Sequence, residues 1–113
     1  MLFIIKMNID GVESKNESKF DNENSNNRPK PKRLILENDI GIYDGEVNSK
    51  CLRHGYGVYR WKKTNDIYEG YWEDNLRNGN GEYLYSDGSI YRGQWKNDSK
   101  NGKGIFNITP LIN

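Results

Sequence analysis

A short pattern that occurs three times is the feature of this sequence that most limits its fold. Three segments begin with Tyr-x-Gly, and their tyrosines, Tyr43, Tyr68 and Tyr91, are 25 and then 23 residues apart. A Gly-x-Gly pair follows each of them at matching offsets, which indicates tandem copies of one structural unit. The residues that define the repeat are Tyr43, Gly45, Gly55, Gly57, Tyr68, Gly70, Trp72, Gly79, Gly81, Tyr91, Gly93, Trp95, Gly102 and Gly104.

The pattern within each unit has a period of two residues, which is typical of a β-strand. Tyr68, Gly70 and Trp72 therefore project from the same face of one strand. A helix would scatter these rings, and each glycine would destabilise it by up to ~1 kcal/mol relative to alanine. Turn-forming residues separate the strands, so each unit is predicted to be a β-hairpin. We expect Trp72 and Trp95 to fill the space that Gly70 and Gly93 leave open.

Consecutive hairpins with short connections predict an all-β fold, in which the repeats form one elongated, twisted antiparallel sheet. Such a sheet lacks an opposing layer, which explains why aromatic residues reach 12% although hydrophobic residues total only 34%. Val47 stands where the other copies have tryptophan, so the first hairpin is expected to be looser or bulged. The predicted folded region is 34–113, with a capping strand at 34–39 and repeats at about 40–61, 67–88 and 90–108.

The first third of the chain has a different composition and is predicted to be a disordered leader, 1–33. Between residues 10 and 27 only Val12 and Phe20 are sizeable apolar groups, too few to offset the entropy of ordering. The leader ends at 28–33 in a basic segment with two prolines, which favours a stiff, solvated linker. The alternatives are a nuclear-import signal or contact with an anionic surface through Arg28, Lys30, Lys32 and Arg33.

Charge and residue types narrow the function classes. The chain has a formal net charge of +1, and its region 34–113 holds 10 Lys/Arg against 11 Asp/Glu, so nucleic-acid binding is not expected. Cys51 and His54 are the only cysteine and histidine, which predicts neither a zinc site nor a disulfide. A catalytic acid and base pair does not stand out, so we expect no enzyme activity and no cofactor. A cytoplasmic location is expected because the apolar run near the start is too short for a secretory signal.

The combination of Tyr68-Glu69-Gly70-Tyr71-Trp72, Asn78-Gly79-Asn80-Gly81 and Asp87-Gly88, with its 23- to 25-residue spacing, resembles the MORN-repeat family over about residues 40–107. The resemblance implies an extended β-sheet used for attachment rather than chemistry. Relatives occur in cytoskeletal, flagellar and membrane-junction assemblies and in phosphatidylinositol-phosphate kinases, where the repeats precede a separate catalytic domain. A kinase domain does not fit in this chain.

Two function hypotheses remain open. The first is a non-catalytic scaffold that binds a protein partner in a cytoskeletal or membrane-associated assembly. The second is a peripheral phospholipid-binding module, or an accessory fragment related to the repeat region of those kinases but without kinase activity. The terminal strand edge is also expected to allow self-association or addition of a partner strand. Candidate partner-binding residues are Tyr68, Trp72, Tyr83, Tyr85, Tyr91 and Trp95.

Overall fold

The computed structural model describes residues 4–7 and 30–108, which form one antiparallel sheet of eight strands. The strand order follows the chain order, so each strand pairs with its neighbours in sequence. The all-β prediction is confirmed. The described residues include no helix that could cross a membrane. The strands are β1 (Ile4–Met7), β2 (Lys32–Glu37), β3 (Gly41–Val47), β4 (Arg53–Trp61), β5 (Ile67–Glu73), β6 (Leu76–Leu84), β7 (Ile90–Lys96) and β8 (Ser99–Asn107).

The three repeats form three hairpins, which we name hairpin A (β3 and β4), hairpin B (β5 and β6) and hairpin C (β7 and β8). Hairpin B turns at Asp74 and Asn75, and hairpin C turns at Asn97 and Asp98. All four of these residues have positive φ, between 48° and 75°. Two-residue loops of this geometry match the right-handed twist of the strands they join, and Asn and Asp tolerate it well.

Each hairpin contains the same irregularity beside its glycine column. The register shifts between Gly70 and Trp72 in hairpin B, and at the equivalent positions of hairpins A and C. The bulge expected for the first copy is therefore common to all three. The extra residue of hairpin A lies in its loop, because five residues, 48–52, separate the paired Val47 and Arg53. Only four, 73–76, separate the paired Trp72 and Arg77.

The edge of hairpin A is covered by β2, which pairs antiparallel with β3. Leu34 and Leu36 of β2 are buried on the same face as the repeat tyrosines. The strand begins at Lys32, two residues earlier than predicted, so Lys32 and Arg33 belong to the sheet rather than to the linker. The leader was expected to be disordered, but β1 lies within it and pairs antiparallel with β2. Its residues Ile4 and Ile5 are β-branched, which favours a strand. The rest of the leader, 1–3 and 8–29, lies outside the described residues.

Tyrosine rings, rather than tryptophan rings, lie over the glycine pairs. A Cβ atom on Gly81 would overlap the hydroxyl and ring of Tyr68, which is fully buried. Tyr43 lies over Gly57 in the same way, and Tyr91 over Gly104. The prediction that tryptophans fill this space was wrong, because the tyrosine of each repeat reaches across its own hairpin to the paired strand.

The tryptophans instead join one repeat to the next. The Trp72 indole Nε1 donates to the carbonyl oxygen of Gly57 in hairpin A at 3.3 Å. Its ring meets Tyr43 and Tyr68 edge to face, with centroids 5.5 and 5.1 Å apart. Trp95 repeats these contacts between hairpins B and C. Across the three hairpins, the centre of the core is therefore a line of alternating tyrosine and tryptophan rings on one face of the sheet, which Leu34, Leu36, Val47 and Tyr59 complete.

Candidate partner-binding face

We call the side of the sheet that carries Tyr43, Tyr68 and Tyr91 the aromatic face, and the other side the outer face. On the aromatic face, a second set of rings lies closer to solvent than the buried line. Its neighbours are in contact across three hairpins, with centroids 5.5 Å apart for Trp61 and Tyr83 and 4.6 Å for Tyr83 and Tyr85. Phe106 extends the set by 5.9 Å from Tyr85. This exposed ring row consists of Trp61, Tyr83, Tyr85 and Phe106.

Three cations follow the exposed ring row, and we call Arg53, Arg77 and Lys100 the cation row. The Arg53 guanidinium lies 4.7 Å from the Trp72 ring, and that of Arg77 lies 4.6 Å from the Trp95 ring. Lys100 Nζ lies 4.8 Å from the Tyr91 ring and donates to the Tyr85 hydroxyl at 2.7 Å. Such contacts are attractive because the face of an aromatic ring is electron-rich.

The sequence-based prediction did not include the cation row, although its signal was present. Arg53, Arg77 and Lys100 each stand two residues before the first glycine of a Gly-x-Gly pair, so they form a column of the repeat. This column consists of cations, whereas the columns that define the predicted repeat consist of glycines and aromatic residues. Trp61 and Phe106 also occupy aligned columns and were not among the predicted partner-binding residues.

The six predicted partner-binding residues separate into a buried group and a half-buried group. Tyr68 has no exposed surface, and Trp72, Tyr91 and Trp95 are also buried. Tyr83 and Tyr85 are half-buried and pack against that core. The structure therefore brings all six to one face, but only Tyr83 and Tyr85 have substantial surface for a partner to touch. The other four support that surface from below.

The junction between hairpins A and B, which we call junction AB, is closed by hydrogen bonds between Arg53 and Asn75. The amide nitrogen of Asn75 donates to the Arg53 carbonyl at 2.9 Å, and the Arg53 amide donates back to Asn75 Oδ1 at 2.9 Å. The guanidinium Nη2 of Arg53 donates to the Asn75 carbonyl, also at 2.9 Å. The turn of one hairpin is thereby fastened to the strand of the hairpin before it.

Junction BC, between hairpins B and C, repeats this arrangement with Arg77 and Asp98. The Asp98 amide donates to the Arg77 carbonyl at 2.9 Å, and the Arg77 amide donates to Asp98 Oδ1 at 3.2 Å. Arg77 Nη2 donates to the Asp98 carbonyl at 3.0 Å. In addition, Arg77 Nε donates to the Asp98 carboxylate at 2.6 Å, which forms an ion pair. Burial works to raise the pKa of the Asp98 carboxyl, but the hydrogen bonds and charge of Arg77 outweigh it and hold the pKa below its usual range.

The electrostatic environment of Arg53 is different. Its Nε atom is buried and forms no hydrogen bond with any described residue. Burial lowers the pKa of the Arg53 guanidinium, because a charged group loses hydration inside the protein. Arg53 also lines a cavity of about 340 Å³ on the aromatic face, together with Ile40, Tyr59, Trp61, Trp72 and Asp98.

The four basic residues proposed to contact an anionic surface are placed only in part. Lys30 and Lys32 are exposed, and Arg33 forms an exposed ion pair with Asp44 at 3.8 Å. Arg28 lies outside the described residues. Of the three that the structure describes, Arg33 is already engaged with a carboxylate, so the pair of lysines offers the more available charge.

The groups that were considered for chemistry have structural contacts. His54 Nδ1 accepts a hydrogen bond from the Asp74 amide at 3.3 Å, as Asn78 Oδ1 accepts one from Asn97 at 3.3 Å. This gives His54 the turn role that its repeat column predicted. Cys51 is a half-buried free thiol in the loop of hairpin A, at φ 62°. Over residues 30–108, no group of three or more His, Cys, Asp and Glu side chains is arranged to hold a metal ion.

The outer face and the terminal edge complete the surface. Tyr56 and Tyr71 form an edge-to-face pair on the outer face, beside a cavity of about 490 Å³ that is also lined by Glu69, Glu82 and Arg92. Every residue of β8 is exposed, and its outer edge pairs with no strand of the described chain. The predicted strand addition at this edge stays a prediction.

Comparison with known proteins agrees with the repeat geometry. The model of the MORN repeat matches residues 52–65, 68–90 and 91–107, which belong to hairpins A, B and C in turn. A curated relative, MORN repeat-containing protein 3 of Xenopus laevis, is 47% identical over 45 residues, or 40% of this chain. The match spans only 18% of the length of that relative. The repeated hairpins, their tyrosine and glycine pairs and these matches show that residues 52–107 of the chain consist of MORN repeats.

Proposed function

We propose that this protein is a non-catalytic scaffold whose aromatic face receives an extended or helical segment of a partner protein. The observation that carries the proposal is the exposed ring row, which continues from hairpin A to hairpin C beside the cation row. Aromatic and arginine side chains contribute most to binding energy at protein interfaces. A row of both on one face therefore favours attachment of a partner.

The dimensions of the row fit a short peptide segment. It runs from β4 to β8, which is four inter-strand steps of about 4.8 Å, or about 19 Å in all. An extended segment of about six residues covers that distance. The buried tyrosine and tryptophan line holds the exposed rings in place from beneath, so little side-chain freedom remains to be lost on binding.

The setting of this scaffold belongs to the same proposal. The presence of MORN repeats supports a role in binding proteins or membranes. A reducing, cytosolic environment suits the one unpaired thiol, Cys51. Attachment within a cytoskeletal or membrane-associated assembly, without a catalytic step, is the function that we infer from these features together.

Two adjacent residues of β8 allow a matched test. Phe106 is 50% exposed and belongs to the exposed ring row, whereas Ile105 is 63% exposed on the outer face. Partner proteins captured on the wild-type chain from a cell lysate are quantified against captures on Phe106→Ala and Ile105→Ala. We expect Phe106→Ala to lose captured protein that Ile105→Ala retains. Equal capture by both variants, with unchanged circular dichroism, would contradict the use of the aromatic face.

Sedimentation with anionic vesicles tests the competing membrane function. The scaffold proposal predicts that the chain stays in the supernatant at physiological salt. Binding at low salt that disappears when Lys30 and Lys32 are changed to glutamine would assign membrane attachment to the basic segment. Salt-resistant binding that is lost in Phe106→Ala would instead assign the aromatic face to lipid and overturn the scaffold proposal.

A further inference from the structure

The two junctions of the array are built alike but are not charged alike. At junction BC, the carboxylate of Asp98 accepts from both Nε and the amide of Arg77. At junction AB the equivalent turn residue is Asn75, whose neutral Oδ1 accepts from the Arg53 amide. The backbone conformation is the same, with φ 74° at Asp98 and 75° at Asn75. The difference is therefore one of charge and not of shape.

Arg53 is left as a cation without a carboxylate in hydrogen-bond contact. Of its side-chain nitrogens, Nη2 donates to the carbonyl of Asn75, while Nε is buried and forms no hydrogen bond with a described residue. The guanidinium lies over the rings of Tyr59 and Trp72, at 5.0 and 4.7 Å from their centroids. Rings offset part of the lost hydration, but a carboxylate would do so more completely.

The space next to Arg53 is open to an external group. The cavity of about 340 Å³ that Arg53 lines also has Trp61 and Ile40 in its wall, and Trp61 begins the exposed ring row. Asp98 lines the same cavity, but its charge is compensated by Arg77 at 2.6 Å. The Asp98 carboxylate also acts on Arg53, so Arg53 and Arg77 together leave one positive charge in excess beside the cavity. The wall combines aromatic rings and Ile40 with the amide side chains of Asn38 and Asn75.

We propose that this cavity, the Arg53 pocket, binds the carboxylate of an acidic side chain in the partner segment that lies along the exposed ring row. The inference rests on the proposed function, since it names the group that the aromatic face selects. The carboxylate approaches the Arg53 guanidinium from the cavity, because the Asn75 side chain fills the position that Asp98 occupies at junction BC. The rings and Ile40 in the wall contact the carbon atoms of the same side chain. The pocket also fixes the position of the segment, because Arg53 is the junction arginine among the described residues without a carboxylate in hydrogen-bond contact.

Asn75→Asp provides the decisive variant. It supplies the carboxylate from within the chain, in a conformation that Asp98 already adopts at φ 74°. We expect the variant to have a higher melting temperature than the wild type, since Arg53 gains the ion pair that Arg77 has. It should also no longer bind an external carboxylate, because the charge of Arg53 is then paired within the chain. Asn97→Asp is the matched control, since it adds the same charge in the turn of hairpin C, where hairpin B has Asp74.

The probe is a blocked six-residue peptide that contains one glutamate among apolar residues, compared with the same peptide containing glutamine. Binding to the full chain is followed by the indole N–H signals of Trp61, Trp72 and Trp95 in NMR titrations. We expect the glutamate peptide to shift the signals of Trp61 and Trp72, to bind at least about tenfold more tightly than the glutamine peptide, and to lose about tenfold in Asn75→Asp but not in Asn97→Asp. A tenfold change corresponds to about 1.4 kcal/mol, as expected for one charge-assisted hydrogen bond.

The contrary results separate this inference from the proposed function. Equal binding of both peptides, with shifts along the exposed ring row, would overturn the carboxylate site and leave the aromatic face as a partner-binding surface. Undiminished binding of the glutamate peptide by Asn75→Asp would overturn the assignment to Arg53. If neither peptide binds but anionic vesicles do, and Asn75→Asp abolishes that binding, the pocket belongs to a lipid headgroup and the protein-ligand inference is wrong.

Discussion

Junctions AB and BC show how one architecture separates structural requirements from electrostatic ones. In both, the amide of a turn residue in the following hairpin donates to an arginine carbonyl, and the arginine amide donates to the side-chain oxygen of that turn residue. A tryptophan indole also donates across each junction. Only at junction BC does a carboxylate form an ion pair with the arginine. The array therefore assembles without the ion pair, and the charge at each junction is free to serve another purpose.

The two junctions also differ on the outer face. Junction AB pairs Tyr56 with Tyr71 there, whereas junction BC pairs Asn80 with Gln94. The aromatic face is nearly the same at both junctions, because the tyrosine, glycine and tryptophan columns occupy it. The outer face has no such columns and varies from repeat to repeat. The repeat thus conserves one surface within this chain and leaves the other to individual residues.

The largest effect is expected from removing a tryptophan at either junction. Trp72→Ala and Trp95→Ala should each lower the free energy of unfolding by about 3–5 kcal/mol, because each leaves a cavity between two buried tyrosines. Urea denaturation followed by circular dichroism measures both. If Trp95→Ala costs less than a third of Trp72→Ala, the junctions are not equivalent in packing and the comparison fails.

A somewhat smaller loss is expected from filling the space beneath a tyrosine. Gly81→Ala places a methyl group against the fully buried ring of Tyr68, which has no room to move, and should cost about 3 kcal/mol. Gly57→Ala should cost a similar amount through Tyr43. The control is Asn80→Ala, an exposed neighbour of Gly81 that should change stability by less than about 0.5 kcal/mol. A tolerated Gly81→Ala would show that the ring is not held as described.

Asp98→Asn makes junction BC resemble junction AB and should cost about 1 kcal/mol at pH 7, since the pair is partly exposed. The pKa of the folded Asp98 carboxyl lies below its unfolded value of about 3.9. Its contribution is therefore present above that pH and is lost as the pH falls through the folded pKa. Thermal melts between pH 2 and 7 should show a smaller acid-induced loss for Asp98→Asn than for the wild type. Identical pH profiles would remove the ion pair as the difference between the junctions.

The smallest effect concerns the outer face of junction AB. The Tyr56 hydroxyl donates to Glu69 at 2.5 Å, and this hydrogen bond, followed by burial, raises the pKa of Tyr56 to about 12. Glu69→Gln should bring that pKa down towards the usual value of about 10, as measured by the ultraviolet absorbance of tyrosinate. Stability at pH 7 should change by less than about 0.5 kcal/mol, because both groups are exposed. A change above 1 kcal/mol would give the outer face a structural role that its variation argues against.

The sequence predicted the hairpins and their order because period two and turn residues are local signals. Tyr43, Tyr68 and Tyr91 repeat at fixed offsets, so the face they share could also be assigned. The partner of each ring could not, since a strand pattern specifies the face of a side chain but not its direction along that face. For this reason Trp72 was predicted to lie over Gly70, whereas its indole Nε1 donates a hydrogen bond to the carbonyl oxygen of Gly57 in the preceding hairpin.

The candidate site was less predictable than the fold. The electrostatic environment of each arginine depends on a residue of the next hairpin, which is Asn75 for Arg53 and Asp98 for Arg77. These pairs are 22 and 21 residues apart in sequence. A difference of one turn residue decides whether the charge of an arginine is paired with a carboxylate. The sequence alone does not show which turn residue faces which arginine. Strand β1 was missed because its four residues precede a long polar segment.

The paired glycines have a mechanical consequence for the whole array. Gly45, Gly57, Gly70, Gly81, Gly93 and Gly104 are cross-strand neighbours, so they form a crease without side chains that runs perpendicular to the strands. A tyrosine phenol braces this crease in each hairpin, and its hydroxyl is tied to a main-chain carbonyl three residues further on, as Tyr68 is to Tyr71 at 2.9 Å. Bending along the crease would break every brace together. The sheet is therefore stiffened along the glycine line, and each added repeat lengthens the sheet and adds one more tyrosine hydrogen bond of the same kind.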